Sequence, residues 1–344
     1  ANPNFGSILS GSVDYSPWCT NAACTEFGPV MLAHNGTNSG FSSIQAAINA
    51  STAGDVIGVG AGTYTEDLRI EGKDNLGIAA TGAAVIQGAT LVNDNLGYSA
   101  DAPNIMILSD GVKIHGFTIT SPSTVTNKHA VAITLDGSNV KIYDNAFNVA
   151  LGTNESAPSV AIVTYCDNSI CTTPRSNVDI SGLSIHNNTF NNLSGSGSYE
   201  AIYLNPDLGG GQVFIENNTF SGSLHRAVAS ERSNTLIRNN QMSTLFGSSY
   251  QGISLTNWYN RDIANVTITN NTVTGFAKGI RLAHSDVSGL LSNINVLDNT
   301  VKNAATIGVH VYRSANSIVF GGNVISGNTL GVQNDHASKL NASS

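Results

Sequence analysis

Ile185-His186-Asn187-Asn188-Thr189-Phe190 decides how this chain folds, because the chain keeps repeating it. It returns as Ile215-Glu216-Asn217-Asn218-Thr219-Phe220, Ile237-Arg238-Asn239-Asn240-Gln241-Met242, Ile268-Thr269-Asn270-Asn271-Thr272-Val273 and Val296-Leu297-Asp298-Asn299-Thr300-Val301. Looser copies begin at Ile142 and Phe320. The aligned residues Asn145, Asn188, Asn218, Asn240, Asn271, Asn299 and Asn323 are separated by 43, 30, 22, 31, 28 and 24 residues. A ragged period of this size signals a solenoid, in which each repeat buries its apolar face only against the next.

Between these copies runs a second family of short strands: Ala201 to Leu204, Ala227 to Ser230, Gly252 to Leu255, Gly279 to Leu282, Gly308 to Val311 and Gly331 to Asn334. Alternation puts Ile202, Val228, Ile253, Ile280, Val309 and Val332 inside. Parallel strands stacked at about 4.8 Å per rung make a rod roughly 50 Å long. The β-branched, Asn-rich repeat excludes an α-solenoid, and the scarcity of Asn-Gly hairpin turns argues against a sandwich. The expected fold is an all-β, single-stranded parallel β-helix. The recurring Asn is read as the turn between sheets, since it tolerates left-handed backbone and its amide can bond the next rung.

Of 344 residues 41% are apolar and 11% charged, with a formal charge of −8. Fifteen Lys plus Arg with no basic run exclude a nucleic-acid footprint, and no apolar run reaches the roughly 18 residues of a membrane span. Cys19/Cys24 and Cys166/Cys171 form two local pairs, which read as two disulfides of an oxidising compartment. A four-Cys metal site is the alternative, against which stand the distance between the pairs and the lack of C-x-x-C spacing. No metal or cofactor is expected. The location expected is extracellular or at the cell surface.

Residues 1–32 read as an N-terminal extension and residues 33–344 as the coil, with a capping helix at 41–52 and rungs from about 55 to 334. Ser42 or Ser43 can cap that helix, whose apolar face is Phe41, Ile44, Ala47 and Ile48. The helix followed by Gly54-Asp55-Val56-Ile57-Gly58-Val59 and Gly62-Thr63-Tyr64-Thr65-Glu66 resembles the N-terminal cap of right-handed parallel β-helices of the pectin-lyase-like superfamily. That resemblance implies the right hand of the coil. Val13-Asp14-Tyr15-Ser16-Pro17-Trp18 resembles the closing tail of bacterial extracellular β-helix modules, which implies end-to-end self-association into a filament or surface array. A strap packed along the coil is the alternative.

Outward positions of the second strand family gather rings and cations on consecutive rungs. Tyr203, Trp258, Tyr259, Arg281, His310, Tyr312 and Arg313 are the expected glycan-binding residues: rings for sugar faces, Arg and His for carboxylates or hydroxyls. A lyase needs a base beside a uronic carboxylate and a cation to neutralise it, parts that Glu231, Arg232, Arg281 and His310 could supply. The coil around Ala227 to Met242 resembles β-helical alginate and chondroitin lyases, without reaching a catalytic motif. The later phrases of pectin methylesterases, the paired aspartates and Gly-His-Gly of polygalacturonases and the Asp-Pro-His of mannuronan epimerases are absent. The expected function is an adhesive or structural module with a polysaccharide-binding face. The alternative is a polysaccharide lyase or glycoside hydrolase on the same coil.

Overall fold

The computed structural model describes residues 18–19, 27–88, 101–120, 129–148, 159–164, 179–192, 199–205, 209–244, 250–256, 262–282, 290–312, 317–335 and 340–343. Three long sheets wrap one core. Among the described residues two have ten strands each and one has thirteen, and within the rungs every pairing is parallel.

The thirteen-stranded sheet, here the cap sheet, starts from a hairpin, Val30–His34 with Thr37–Phe41, joined antiparallel to Val56–Val59. Asn35 and Gly36 turn that hairpin with φ of 46° and 76°, as a two-residue turn between twisted strands requires. The strand Val30–His34 runs across residue 32, where the extension was expected to give way to the coil.

The helix is Ile44–Ala50, shorter than the 41–52 expected, because Phe41 is held in the hairpin. Ser43 caps it, its hydroxyl accepting from Ala46 N–H at 3.1 Å. Glu66, the last residue of the Gly-Thr-Tyr-Thr-Glu phrase, accepts from Ile44 and Gln45 N–H at 3.0 and 2.9 Å, satisfying two more amides of the helix start. Gln45 in turn grips the backbone of Arg69 from both sides, accepting its N–H at 2.8 Å and donating to its carbonyl at 3.2 Å. The helix thereby covers the first strand of a second sheet, Leu68–Glu71, which would otherwise be a bare edge.

The Asn repeat divides its work between two neighbouring residues. Asp144, Asn187, Asn217, Asn239, Asn270 and Asp298 have φ between 55° and 57° and turn the chain from the cap sheet to the third sheet. The residue after each is buried and builds a ladder. Asn188 donates its backbone N–H to Asn218 Oδ1 at 2.9 Å and its amide to the same oxygen at 3.1 Å. The pattern runs from Asn145 to Asn323 without a break. Each amide also caps a carbonyl of the rung before, as Asn188 does for Ile142 at 2.8 Å. The aligned Asn is therefore the ladder, and its predecessor is the hinge.

Inside, Phe147, Phe190 and Phe220 stack at 4.8 Å with rings 6° from parallel. Ile202, Val228, Ile253, Ile280 and Val309 are fully buried as alternation predicts, whereas Val332 on the last rung is 44% exposed.

Candidate functional site

The second ten-stranded sheet, from Leu68–Glu71 to Leu330–Asn334, carries the expected site and is here the site sheet. Its register places Tyr203, Ala229, Ser254, Arg281, His310 and Gln333 above one another in one outward column. The strands break strict alternation one residue earlier. Ala201, Ala227, Gly252 and Gly279 turn inward beside Ile202, Val228, Ile253 and Ile280, at a corner with no spare room. A Cβ on Gly252 would lie 2.3 Å from Val273 Cγ1, and one on Gly279 2.2 Å from Val301 Cγ1. The corner throws a second column outward that the sequence reading missed: Glu200, Arg226, Gln251, Lys278 and Ile307. The signal was there, in the small residue, Ala or Gly, that recurs before each inward Ile or Val.

The two columns form a face that points out of the coil yet is largely covered. Ser254 and Thr256 are fully buried, and Gln251, Arg281 and His310 are below a tenth exposed. Towards the helix end the face is apolar, where Val131, Val160 and Val163 pack with Tyr203 outside the main core. Next comes a buried ion pair, Arg226 Nη1 to Glu200 Oε1 at 2.9 Å, with His225 beside Glu200 and edge-on to Tyr250 at 5.1 Å. Beyond it lie polar atoms without a partner: Gln251 Oε1, Ser254 Oγ, Thr256 Oγ1 and Arg281 Nε. Native interiors pair nearly all such groups, so a run of them on one face calls for an explanation.

The structure brings Arg281, His310 and Tyr312 together. The Arg281 guanidinium lies 5.5 Å over the Tyr312 ring, which meets the His310 ring edge-on at 5.3 Å. His310 Nε2 donates to Asp335 Oδ2 at 2.8 Å. Burial pushes the His310 imidazolium down from its ordinary range more than Asp335 raises it. The Asp335 carboxyl is held down by the hydrogen bonds from His310 and Gln333.

The four residues expected for lyase chemistry do not converge. Glu231 accepts from the Tyr203 hydroxyl at 2.5 Å, on the side of the face nearer the helix. Arg281 stands two rungs further on, about 10 Å along the rod, and His310 three. Arg232 is buried, Nη1 donating to the Ser233 carbonyl at 3.0 Å and Nη2 to that of Gly209 at 3.3 Å. Tyr203 lies three rungs from Arg281, in the apolar stretch. Trp258, Tyr259, Arg313, Cys24, Cys166, Cys171 and the side chain of Cys19 lie outside the described residues.

One aromatic feature escaped the sequence reading. On the outer face of the cap sheet Tyr143 is sandwiched between His115 and His186, at 4.5 and 5.0 Å. Each ring follows the inward Ile of its repeat, so aligning that column would have found it. Among the described residues no cluster of His, Cys, Asp and Glu could hold a metal ion.

The three parallel sheets and the family model that matches them define the class: a right-handed parallel β-helix. The model of the right-handed β-helix region matches residues 200–343. Among solved structures the chain is similar to a surface adhesin of Streptococcus pneumoniae, PfbA, at 16% identity and a TM-score of 0.54, covering 81% of this chain and 80% of that one. A second structure of that adhesin gives 15% identity and a TM-score of 0.51 over 87% and 94%. An exopolygalacturonase of Thermotoga maritima aligns at 10% identity and a TM-score of 0.44 over 80% of each chain. No curated protein sequence matches the chain.

Proposed function

We propose that this protein is an extracellular binding module that holds a glycan along the outward face of the site sheet. The observation that carries this is the run of buried, partnerless polar atoms on Gln251, Ser254, Thr256 and Arg281. A sugar chain brings hydroxyls that donate and accept at close spacing, and half-buried Tyr250 and Tyr312 border the same stretch with rings. A coil of this kind serves as a surface adhesin in S. pneumoniae, so the reading asks nothing unusual of the fold. Among the described residues no helix is long and apolar enough to cross a membrane.

Glycan-array binding followed by calorimetry tests it. The protein should hold one class of glycan, and Tyr312→Ala and Gln251→Leu should each weaken that binding about tenfold. Silence across the array, or variants that bind as the parent does, would overturn the reading. The lyase or hydrolase alternative has less behind it, given the two rungs between Glu231 and Arg281. Release of unsaturated or reducing ends from alginate, pectate or chondroitin would revive it. End-to-end association rests on the exposed Val324, Leu330 and Val332 of the last rung, and light scattering over a concentration series tests that part separately.

A further inference from the structure

The arginines of this coil are not equivalent. Arg226 is paired with Glu200 at 2.9 Å, Arg238 with Glu216 at 2.6 Å and Arg69 with Glu71 at 2.9 Å. Arg232 spends its guanidinium on backbone carbonyls. Among the described arginines Arg281 is the exception. It is 8% exposed, its Nε has no acceptor, as in Arg226 and Arg232, and among the described residues no carboxylate lies within ion-pair distance of it. The ring of Tyr312 steadies the guanidinium from one side but carries no compensating charge.

A buried guanidinium without a counter-ion is costly, and here its neighbours raise the cost. Lys278 leaves the same strand on the same outward side, because Gly279 and Ile280 between them both turn into the coil. Burial, then the charge of Arg226, hold the Arg281 guanidinium below its ordinary pKa; burial, then Arg281, do the same to the Lys278 ammonium against a smaller opposing pull from Asp335. Asp335 makes no ion pair with Arg281; its two oxygens accept from His310 at 2.8 Å and Gln333 at 2.6 Å. One rung back, Ser254 pairs in register with Arg281 and Gln251 with Lys278, and both offer partnerless oxygens. What is missing from this arrangement is an anion at the Arg281 guanidinium itself; Asp335 lies near enough to act on Lys278.

We propose that Arg281 and Lys278 form an anion subsite that takes the carboxylate or sulfate of an acidic glycan. This rests on the glycan reading above and narrows it to one charged group, held at one rung, on a sugar whose hydroxyls reach Ser254 and Gln251. The guanidinium offers its planar fork to the anion and Lys278 adds a point charge.

Calorimetry and thermal melting of the full chain and of Arg281→Met test the proposal. The probes are hexagalacturonate, its full methyl ester, a sulfated hexasaccharide of an uncharged sugar, the unsulfated parent, and sodium sulfate alone. The parent protein should bind one charged probe about tenfold or more tighter than its uncharged counterpart, and which of the two wins identifies carboxylate or sulfate. Arg281→Met should lose that preference while melting no lower than the parent, because it removes an unpaired buried charge. A variant that keeps the preference would overturn the proposal. So would one that melts several degrees lower and loses charged and uncharged probes alike, which is the signature of a structural arginine. If no sugar binds but sulfate raises the melting point of the parent and not of the variant, the anion subsite stands and the glycan reading falls. If a sugar binds without any preference for charge, the glycan reading stands and the subsite falls. If neither sugar nor sulfate acts, both fall.

Discussion

Asn218 hands both its backbone N–H and its side-chain amide to a single oxygen, Asn240 Oδ1, at 3.0 and 3.1 Å. It also accepts the same pair from Asn188 and donates to the Ile185 carbonyl at 2.9 Å. Its neighbour Asn217 makes none of these ladder bonds and supplies a φ of 55°. Adjacent, identical residues thus carry different loads. Asn218→Gly should cost about 2–3 kcal/mol, since it strands buried donors and a carbonyl. Asn217→Gly should stay within about 0.5 kcal/mol, because Gly adopts that φ freely. Denaturant midpoints of the two variants check this, and equal losses would contradict it.

The corner that creates the second outward column depends on missing side chains. Gly279→Ala should destabilise by about 1–3 kcal/mol, because its Cβ would stand 2.2 Å from Val301 Cγ1 and 2.6 Å from the Gly308 carbonyl oxygen. Gly210→Ala, where nothing lies within 4 Å, is the control and should melt with the parent. If both variants melt alike, the corner is looser than described.

Stability should fall when the pH drops through the histidine range. Burial pushes the His115 imidazolium below its ordinary value of 6.5 against a smaller opposing pull from Asp144, and Lys113 adds to the depression. His310 is pushed down in the same direction, first by burial. Folding therefore favours the neutral rings. Their contribution is complete above 6.5 and is lost as the pH falls from there through the lower folded values. Asp55 and Asp179, both held below 3.8, act in a separate window that opens only below that value. Melting temperatures at about pH 7.5 and about pH 5.5 should differ, and His115→Phe, which keeps a ring against Tyr143, should shrink the difference. A melting point that holds or rises on acidification would contradict the sign.

The coil was legible because its signals are local and repeated. The Asn pair, the inward Ile and Val of each rung, and Ser43 before the helix each report on one turn of backbone. Register was harder to see. The Arg226, Gln251 and Lys278 column escaped because alternation was carried through a corner where two consecutive residues, such as Gly279 and Ile280, both face inward. The His115, Tyr143 and His186 stack escaped because rungs of unequal length hide which residues lie above one another. The surroundings of Arg232 were hidden for a related reason: the strand ends at Ser230, and beyond it alternation no longer governs where a side chain points. That Arg281 has no counter-ion among the described residues is not a property of any sequence window, since it depends on which carboxylates the register brings near it, and Glu200 pairs with Arg226 instead.

Hydroxyl-radical footprinting with the glycan that binds tightest tests the central claim most directly, because half-buried tyrosines stand on both faces of the coil. Ligand should lower oxidation of Tyr250 and Tyr312, which border the partnerless atoms of the site sheet, and leave Tyr143 on the cap sheet unchanged. Protection of Tyr143, with Tyr250 and Tyr312 oxidised as in the free protein, would contradict the account.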